Sequence, residues 1–409
     1  MLLTNIRQLL QIRTALDHRI VGREMATLPL MENAYLLIED GRIADFGPMD
    51  YTPTDYDGEA LDCTDRLVLP SWVDSHTHLV YAGDRSGEWV DRLQGKSYAE
   101  IAAAGGGILN SAKRLNATSE EELFRQAKAR LDELIRLGTG TVEIKSGYGL
   151  TLEGELKMLR VIRRLRESSP ATVRATFLGA HAVPAAYKND KAGYLRLLTA
   201  EMLPAIAAEG LADFVDVFCE EGYFSVEDAV KIMKAGAKHG LRAKVHVNQF
   251  TALGGVRAAV DCGALSVDHL EELADDDVAA LRSGTTMPVA LPGCSFFLGI
   301  PYTPARRIID AGLPLAIATD YNPGSAPSGN MNLAVSLACT QMKMLPAEAI
   351  NAATLNAAYA MGVEREVGSI TVGKRADLIV TRSLPSLGAI PYNFGMPVVE
   401  SVILNGQLV

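Results

Sequence analysis

The chain lacks most of what would place it in a membrane, outside the cell or on a nucleic acid. No stretch approaches the roughly 20 uninterrupted apolar residues that a membrane helix requires. The opening MLLTNIRQLLQIR has no apolar core followed by a small-residue cleavage site, so no secretory leader is expected. Cysteine is sparse: Cys63, Cys219, Cys262, Cys294 and Cys339 are dispersed, with no CxxC pair. An odd, scattered set argues against a disulfide framework and for reduced thiols in a cytoplasmic protein. Positive charge is also short. A formal net charge of −10 disfavours nucleic acid or an anionic membrane as partner, and an anionic substrate would need local basic groups. No GxGxxG or Walker A pattern follows any strand-like run, which weakens nucleotide-binding readings. The remainder is ordinary: 48% apolar and 22% charged residues can bury a large core.

A chain of 409 residues suggests two to three units, although an α/β barrel takes about 250 residues as one. The first 65 or so residues read as β structure. AYLLIEDGRIADFG holds two apolar runs joined by Asp-Gly, a strong hairpin signal. The same texture returns in GSITVGKRADLIV and in PVVESVILNGQLV, with a turn at Asn-Gly. The economical arrangement packs 1–65 and 356–409 into one small β-sandwich, with the middle of the chain inserted. That middle, 66–355, alternates strand-like runs (RLVLPSWVD, GTGTVEIKSG, ATVRATFLGAH, ADFVDVFCE, LRAKVHVNQ, ALSVDHL, TTMPVAL, LPLAIATD) with helix-type sequence such as SEEELFRQAKARLDELIRLG and SVEDAVKIMKAGAKHG. Eight such units predict an α/β fold with a closed (β/α)8 TIM barrel. The Ala-Gly-Gly-Gly run at 104–107 could cradle an anion or form a mobile loop.

Metal-type ligands stand at the ends of these runs. His76 and His78 follow LVLPSWVD, His246 closes RAKV, His269 closes ALSVD and Asp320 closes LPLAIAT. Residues two apart on a strand point to one side. Imidazoles and a carboxylate converging at a barrel mouth make a site for zinc or a similar ion. Such a site polarises water, so a metal-dependent hydrolase is expected. A lone histidine is more often structural; five of the seven (His181 is the fifth) sharing one topological place changes that reading, while His18 and His239 look ordinary. Asp320 could instead cap a turn before Pro323. Asp74 and Asp268 suit supporting roles, and Cys294 lacks a partner base that would make it a nucleophile.

These residues resemble the amidohydrolase superfamily: VDSHTH after the first barrel strand, a histidine after the fifth and sixth, and an aspartate after the eighth. HTHLVYAGDR, VEIKSGYGL, LGAHAVP, HVNQF, VDHLEE and TDYNPGSAP are similar, in order, to the blocks of the imidazolonepropionase family. The resemblance covers essentially the whole chain. It implies hydrolysis of the cyclic amide of 4-imidazolone-5-propanoate to N-formimidoyl-L-glutamate in histidine degradation. It also implies one zinc or iron ion on His76, His78, His246 and Asp320. Arg85, Tyr148, His181, Gln249, Asn322, Gly324 and Ser325 fall where substrate contacts are expected, and His269 resembles the histidine beside the hydrolytic water. Asp320 would shuttle the proton and Arg85 would meet the propionate.

Two departures narrow the choice. Ring deaminases of the superfamily, the alternative reading, carry His-x-x-Glu after the fifth strand; here the fourth position is Gln249, which cannot shuttle a proton. Binuclear members bridge two metals with a modified lysine after the fourth strand, and DVFCEEGYF has none. A scaffold that had lost catalysis would show lost ligands, yet all four are present. A small anionic substrate and a homodimer are the expected partners.

Overall fold

The computed structural model describes residues 1–14, 17–96, 100 and 106–409. Of the glycine run noted above, Ala104 and Gly105 lie outside the described residues. Five strands come first: β1 (Leu2–Leu10), β2 (Leu30–Glu39), β3 (Arg42–Pro48), β4 (Ala60–Asp62) and β5 (Arg66–Pro70). Eight follow with helices between most of them: β6 (Trp72–Asp74), β7 (Thr139–Lys145), β8 (Thr172–Ala180), β9 (Phe214–Cys219), β10 (Arg242–Val247), β11 (Ser266–His269), β12 (Met287–Ala290) and β13 (Ala316–Ile317). The last three are β14 (Leu378–Ser383), β15 (Val399–Leu404) and β16 (Gln407–Leu408).

Strands β6 to β13 form one sheet in sequence order, every neighbouring pair parallel. Both faces of such a sheet are covered, and every residue of β7 is buried. The helices that cover it start where local chemistry starts them. Ser119 accepts from the Glu122 N–H, and three glutamates in the first turn face the positive end of helix Glu120–Arg136. Ser225 and Asp228 close a reciprocal capping box on helix Val226–Ala237. The sheet nearly closes on itself beyond β6 and β13. Asp320 N–H donates to His76 O (3.0 Å) and His78 N–H to Tyr321 O (2.9 Å), around a single parallel bridge between Thr77 and Tyr321. The segments that close the barrel are those that carry His76, His78 and Asp320.

The chain termini build the second sheet, in order β16-β15-β14-β5-β1-β2-β3 with β4 beside β1. Both expected hairpins form. Asp40-Gly41 and Asn405-Gly406 occupy positive φ (48° and 75°, 51° and 76°), as a two-residue turn of this hand requires. Leu3, Ile6, Leu36, Ile38, Val68, Leu378 and Ile403 fill a small core of their own. The run RLVLPSWVD divides between the two sheets. Arg66–Pro70 pairs with β1 and β14, and only Trp72–Asp74 joins β7. The division falls between adjacent amides: Ser71 N–H donates to Asp377 O and Trp72 N–H to Gly138 O.

Candidate active site

All the strand-end ligands meet at the C-terminal mouth of the barrel, where this fold places its chemistry. Asp320 Oδ1 lies 3.5 Å from His76 Nε2 and 3.4 Å from His78 Nε2, and His246 Nε2 lies 3.4 Å from His78 Nε2. Donors around a tetrahedral ion at about 2.0–2.1 Å would stand roughly 3.3–3.4 Å apart, so this set fits one ion. His76 Nε2 is buried with no hydrogen-bond partner, an unsatisfied lone pair aimed at the same point. The other ring nitrogen of His76 faces Asp268 Oδ2 at 2.6 Å. Burial, with the charges of Lys145 and the neighbouring histidines, holds the His76 imidazole well below its ordinary pKa, hence neutral and able to ligate. Burial alone would push the Asp320 carboxyl up. The His78 bond, with His269 and His246, outweighs burial and keeps it below the carboxylate range.

His269 belongs to a second pairing. Burial disfavours its charge, but Glu271, 3.3 Å from Nδ1, more than offsets this and raises its pKa. Burial thus favours the neutral form of His76 and His78, while Glu271 favours a proton on His269.

Above this floor opens a cavity of about 540 Å³, lined by His78, His246, His269 and Asp320 and by every expected substrate residue: Arg85, Tyr148, His181, Gln249, Asn322, Gly324 and Ser325. Arg85 arrives oriented. Its Nε and Nη2 reach Glu88 Oε2 at 2.8 and 2.7 Å, and Glu88 is itself held by Gly107 N–H and Asn110 Nδ2. Glycine leaves room for it opposite: a Cβ on Gly324 would sit 2.1 Å from Arg85 Nη1, so any other residue would move the guanidinium. His181 has Nδ1 3.1 Å from Gly147 O; burial, then the charges of His78 and His246, hold it well below its ordinary pKa. With Nδ1–H spent on that carbonyl, Nε2 remains an acceptor. Gln249 Nε2 rests 3.4 Å from Cys294 Sγ, and burial, then Asp320 and Glu271, push that thiol well above its ordinary value. Cys294 is therefore no nucleophile. Asn322 lines the cavity but spends its amide on the loop: Oδ1 accepts from Gly324 and Ser325 N–H, and Nδ2 donates to Asp320 O and Ser325 Oγ. His239 is exposed, away from this site.

Sequence reasoning overlooked Glu88, Trp89 and Arg92, which share the cavity wall with Arg85. Their signal was the spacing of three, four and seven residues along one helix face. It also passed over Glu143 and Lys145, although charges inside an otherwise apolar strand such as TVEIK are a signal of their own.

Comparison with known proteins agrees with this geometry. The amidohydrolase family model matches residues 67–409. The chain is 58% identical to the imidazolonepropionase of Flavobacterium johnsoniae, over all of this chain and 99% of that one. It is 56% identical to that of Christiangramia forsetii, over the full length of both, and 43% to that of Geobacillus kaustophilus, over 98% and 96%. Among solved structures, Escherichia coli guanine deaminase superposes with a TM-score of 0.75 at 14% identity, covering 100% of this chain and 98% of that one. A zinc-bound adenosine deaminase from Xanthomonas campestris gives 0.71 at 16%, covering 100% and 92%. At such identity the two deaminases speak for the fold alone. The relatives matched end to end speak for more: the chain belongs to the amidohydrolase family and, within it, to the imidazolonepropionases.

Proposed function

We infer that this protein opens the ring of 4-imidazolone-5-propanoate with water to give N-formimidoyl-L-glutamate, a cyclic-amide hydrolysis in histidine degradation. The observation that carries the reading is the joining of two features in one cavity: a floor of three imidazoles and a carboxylate spaced for one ion, and a wall holding an oriented guanidinium. We propose one ion per chain on His76, His78, His246 and Asp320; nitrogen and oxygen donors of this kind serve zinc and iron alike. Such an ion acidifies water and polarises the ring carbonyl.

The chain's own groups do the rest. Arg85, held by Glu88, receives the propionate carboxylate on its remaining donors. Tyr148, His181 and Gln249 surround the ring, and Gln249 offers an amide where a deaminase would need a proton shuttle. Asp320, the carboxylate of the floor and held below the usual carboxylate range, takes the proton of the attacking water and delivers it to the ring nitrogen as the carbon–nitrogen bond breaks. The carbonyl carbon, now bonded to the water oxygen, stays in the product as its new carboxylate. His269, with Nδ1 facing Glu271, keeps Nε2 as the donor that meets the negative charge developing on the carbonyl oxygen. A homodimer in a reducing cytoplasm is the setting we propose, given free, dispersed cysteines. Incubating purified, metal-loaded protein with 4-imidazolone-5-propanoate and following the ring absorbance tests the reading: loss of absorbance with formimidoyl-glutamate formed is expected, and an unchanged ring would refute it.

A further inference from the structure

Directly beneath the ligand histidines lie five charged side chains without exposure to solvent: Glu143 and Lys145 from β7, Asp216 from β9, Lys244 from β10 and Asp268 from β11. Lys145 Nζ is their hub. It stands 2.6 Å from Glu143 Oε1, 2.8 Å from Asp216 Oδ2 and 3.8 Å from Asp268 Oδ2. Lys244 donates to Glu143 and to Ser75 O, and lies 4.0 Å from Asp268. The same two oxygens that face Lys145 also face the ligands. Asp268 Oδ2 is 2.6 Å from His76 Nδ1, and Asp216 Oδ2 is 3.0 Å from His246 Nδ1, close though off the ideal hydrogen-bond line. Charges buried so deeply stabilise a fold poorly compared with apolar residues of equal volume, so stability alone does not account for them.

We propose that Lys145 is a positioning residue for the metal centre, fixing the Asp216 and Asp268 carboxylates so that His246 and His76 both keep their proton on Nδ1 and present Nε2 before any ion arrives. The proposal rests on the ligand assignment above. A carboxylate behind an imidazole orients the ring and makes its far nitrogen more basic. Lys145 Nζ stands 2.8 Å from the Asp216 carboxylate and 3.8 Å from that of Asp268, so one ammonium holds both in place behind the rings. Because each of the three carboxylates is engaged by an ammonium, none is free to bridge a second ion, in keeping with a single one. His78 supplies an internal comparison: among the described residues its one carboxylate partner, Asp320, faces Nε2 rather than Nδ1, so the network does not reach it.

Nitrogen-15 NMR of the histidine rings in chelator-treated wild type should show His76 and His246 each in the Nδ1–H tautomer. Interconverting tautomers there would overturn the proposal, whatever the variants do. Lys145→Met should weaken zinc binding about 10- to 100-fold in competition with a chromophoric chelator and release both tautomers, with His78 unchanged and circular dichroism like wild type. Adding Asp216→Asn, which removes a charge of each sign, should cost less affinity than the two single changes summed. A folded Lys145→Met protein with wild-type zinc affinity and fixed tautomers would also overturn it. Should Lys145→Met not fold, the wild-type tautomers decide, with Asp268→Asn expected to release His76 alone. A wild type that takes up no zinc or iron would instead remove the functional reading.

Discussion

Asn248, His269, Leu270 and Asp320 adopt φ of 58°, 91°, 64° and 57°, left-handed backbone that side chains other than glycine seldom take. Each such residue costs on the order of 1–3 kcal/mol and persists where its surroundings dictate it. Here all four stand at strand ends around the cavity floor, so the turns that aim His269 and Asp320 are strained. Asparagine tolerates this conformation, which makes Asp320→Asn a clean test. Its backbone should stay in place and metal should be retained in part, while kcat falls about 100- to 10,000-fold and KM changes little. Near-normal turnover with metal bound, by steady-state kinetics and elemental analysis on one sample, would reduce Asp320 to a ligand. Gly324→Ala probes the other wall. The new methyl displaces the Arg85 guanidinium without breaking the core, so KM should rise and kcat should hold. Arg85→Ala should cost roughly 2–5 kcal/mol in kcat/KM, and an analogue with an amide tail should be indifferent to both changes. Equal losses for the two substrates would make Arg85 structural. The residues that meet at this cavity were legible because each sits at a strand end or in a short motif. Lys145 was not, since Asp216 lies 71 residues further along the chain and the two meet only in the folded interior.

Among elements, the strands and both hairpins could be read from alternation, apolar runs and the Asp-Gly and Asn-Gly pairs, because those signals are local. The division of RLVLPSWVD could not: both halves are apolar, and only the partners on either side, β1 and β14 or β7, decide which sheet each joins. One element-level feature carries a pH signature. Lys374, just before β14, donates to Glu364 O, Val367 O and Ser369 Oγ, all uncharged acceptors. Burial therefore pushes its pKa down to about 8 from 10.5. Between those values the unfolded chain holds the proton and the folded one does not, so stability rises with pH across this window and the cost is fully present below it. Urea unfolding of wild type and Lys374→Met at pH 7.5 and 10 should show the difference shifting toward wild type at the higher pH. A constant difference would mean that the ammonium is as well solvated in the folded protein as in the unfolded chain.

At the scale of the molecule, the eight barrel strands are laced by ladders everywhere except between β6 and β13, where two backbone hydrogen bonds and a pair from Thr319 to the Asp74 carboxylate do the joining, beside the candidate ligands. Removing metal should therefore loosen this joint first. An ion present at 100 times its Kd adds about 2.7 kcal/mol to folding, so chelation should lower Tm by several degrees. Hydrogen exchange should quicken at the His78 and Asp320 amides well before it does along β8 and β9. Uniform quickening would place the metal's effect on the whole core instead.

The seam has a further meaning for the chain as a polymer. His78 and Asp320 follow the first and last barrel strands, so an ion gripped by both would tie off most of the barrel in one loop. Loop-closure entropy grows only with the logarithm of length, and a knot this long already has most of what a crosslink can give. An ion held there would then be a removable staple as well as a catalyst. A cell that runs short of it would lose the enzyme twice, once to inactivity and once to proteases that find the unlatched ring.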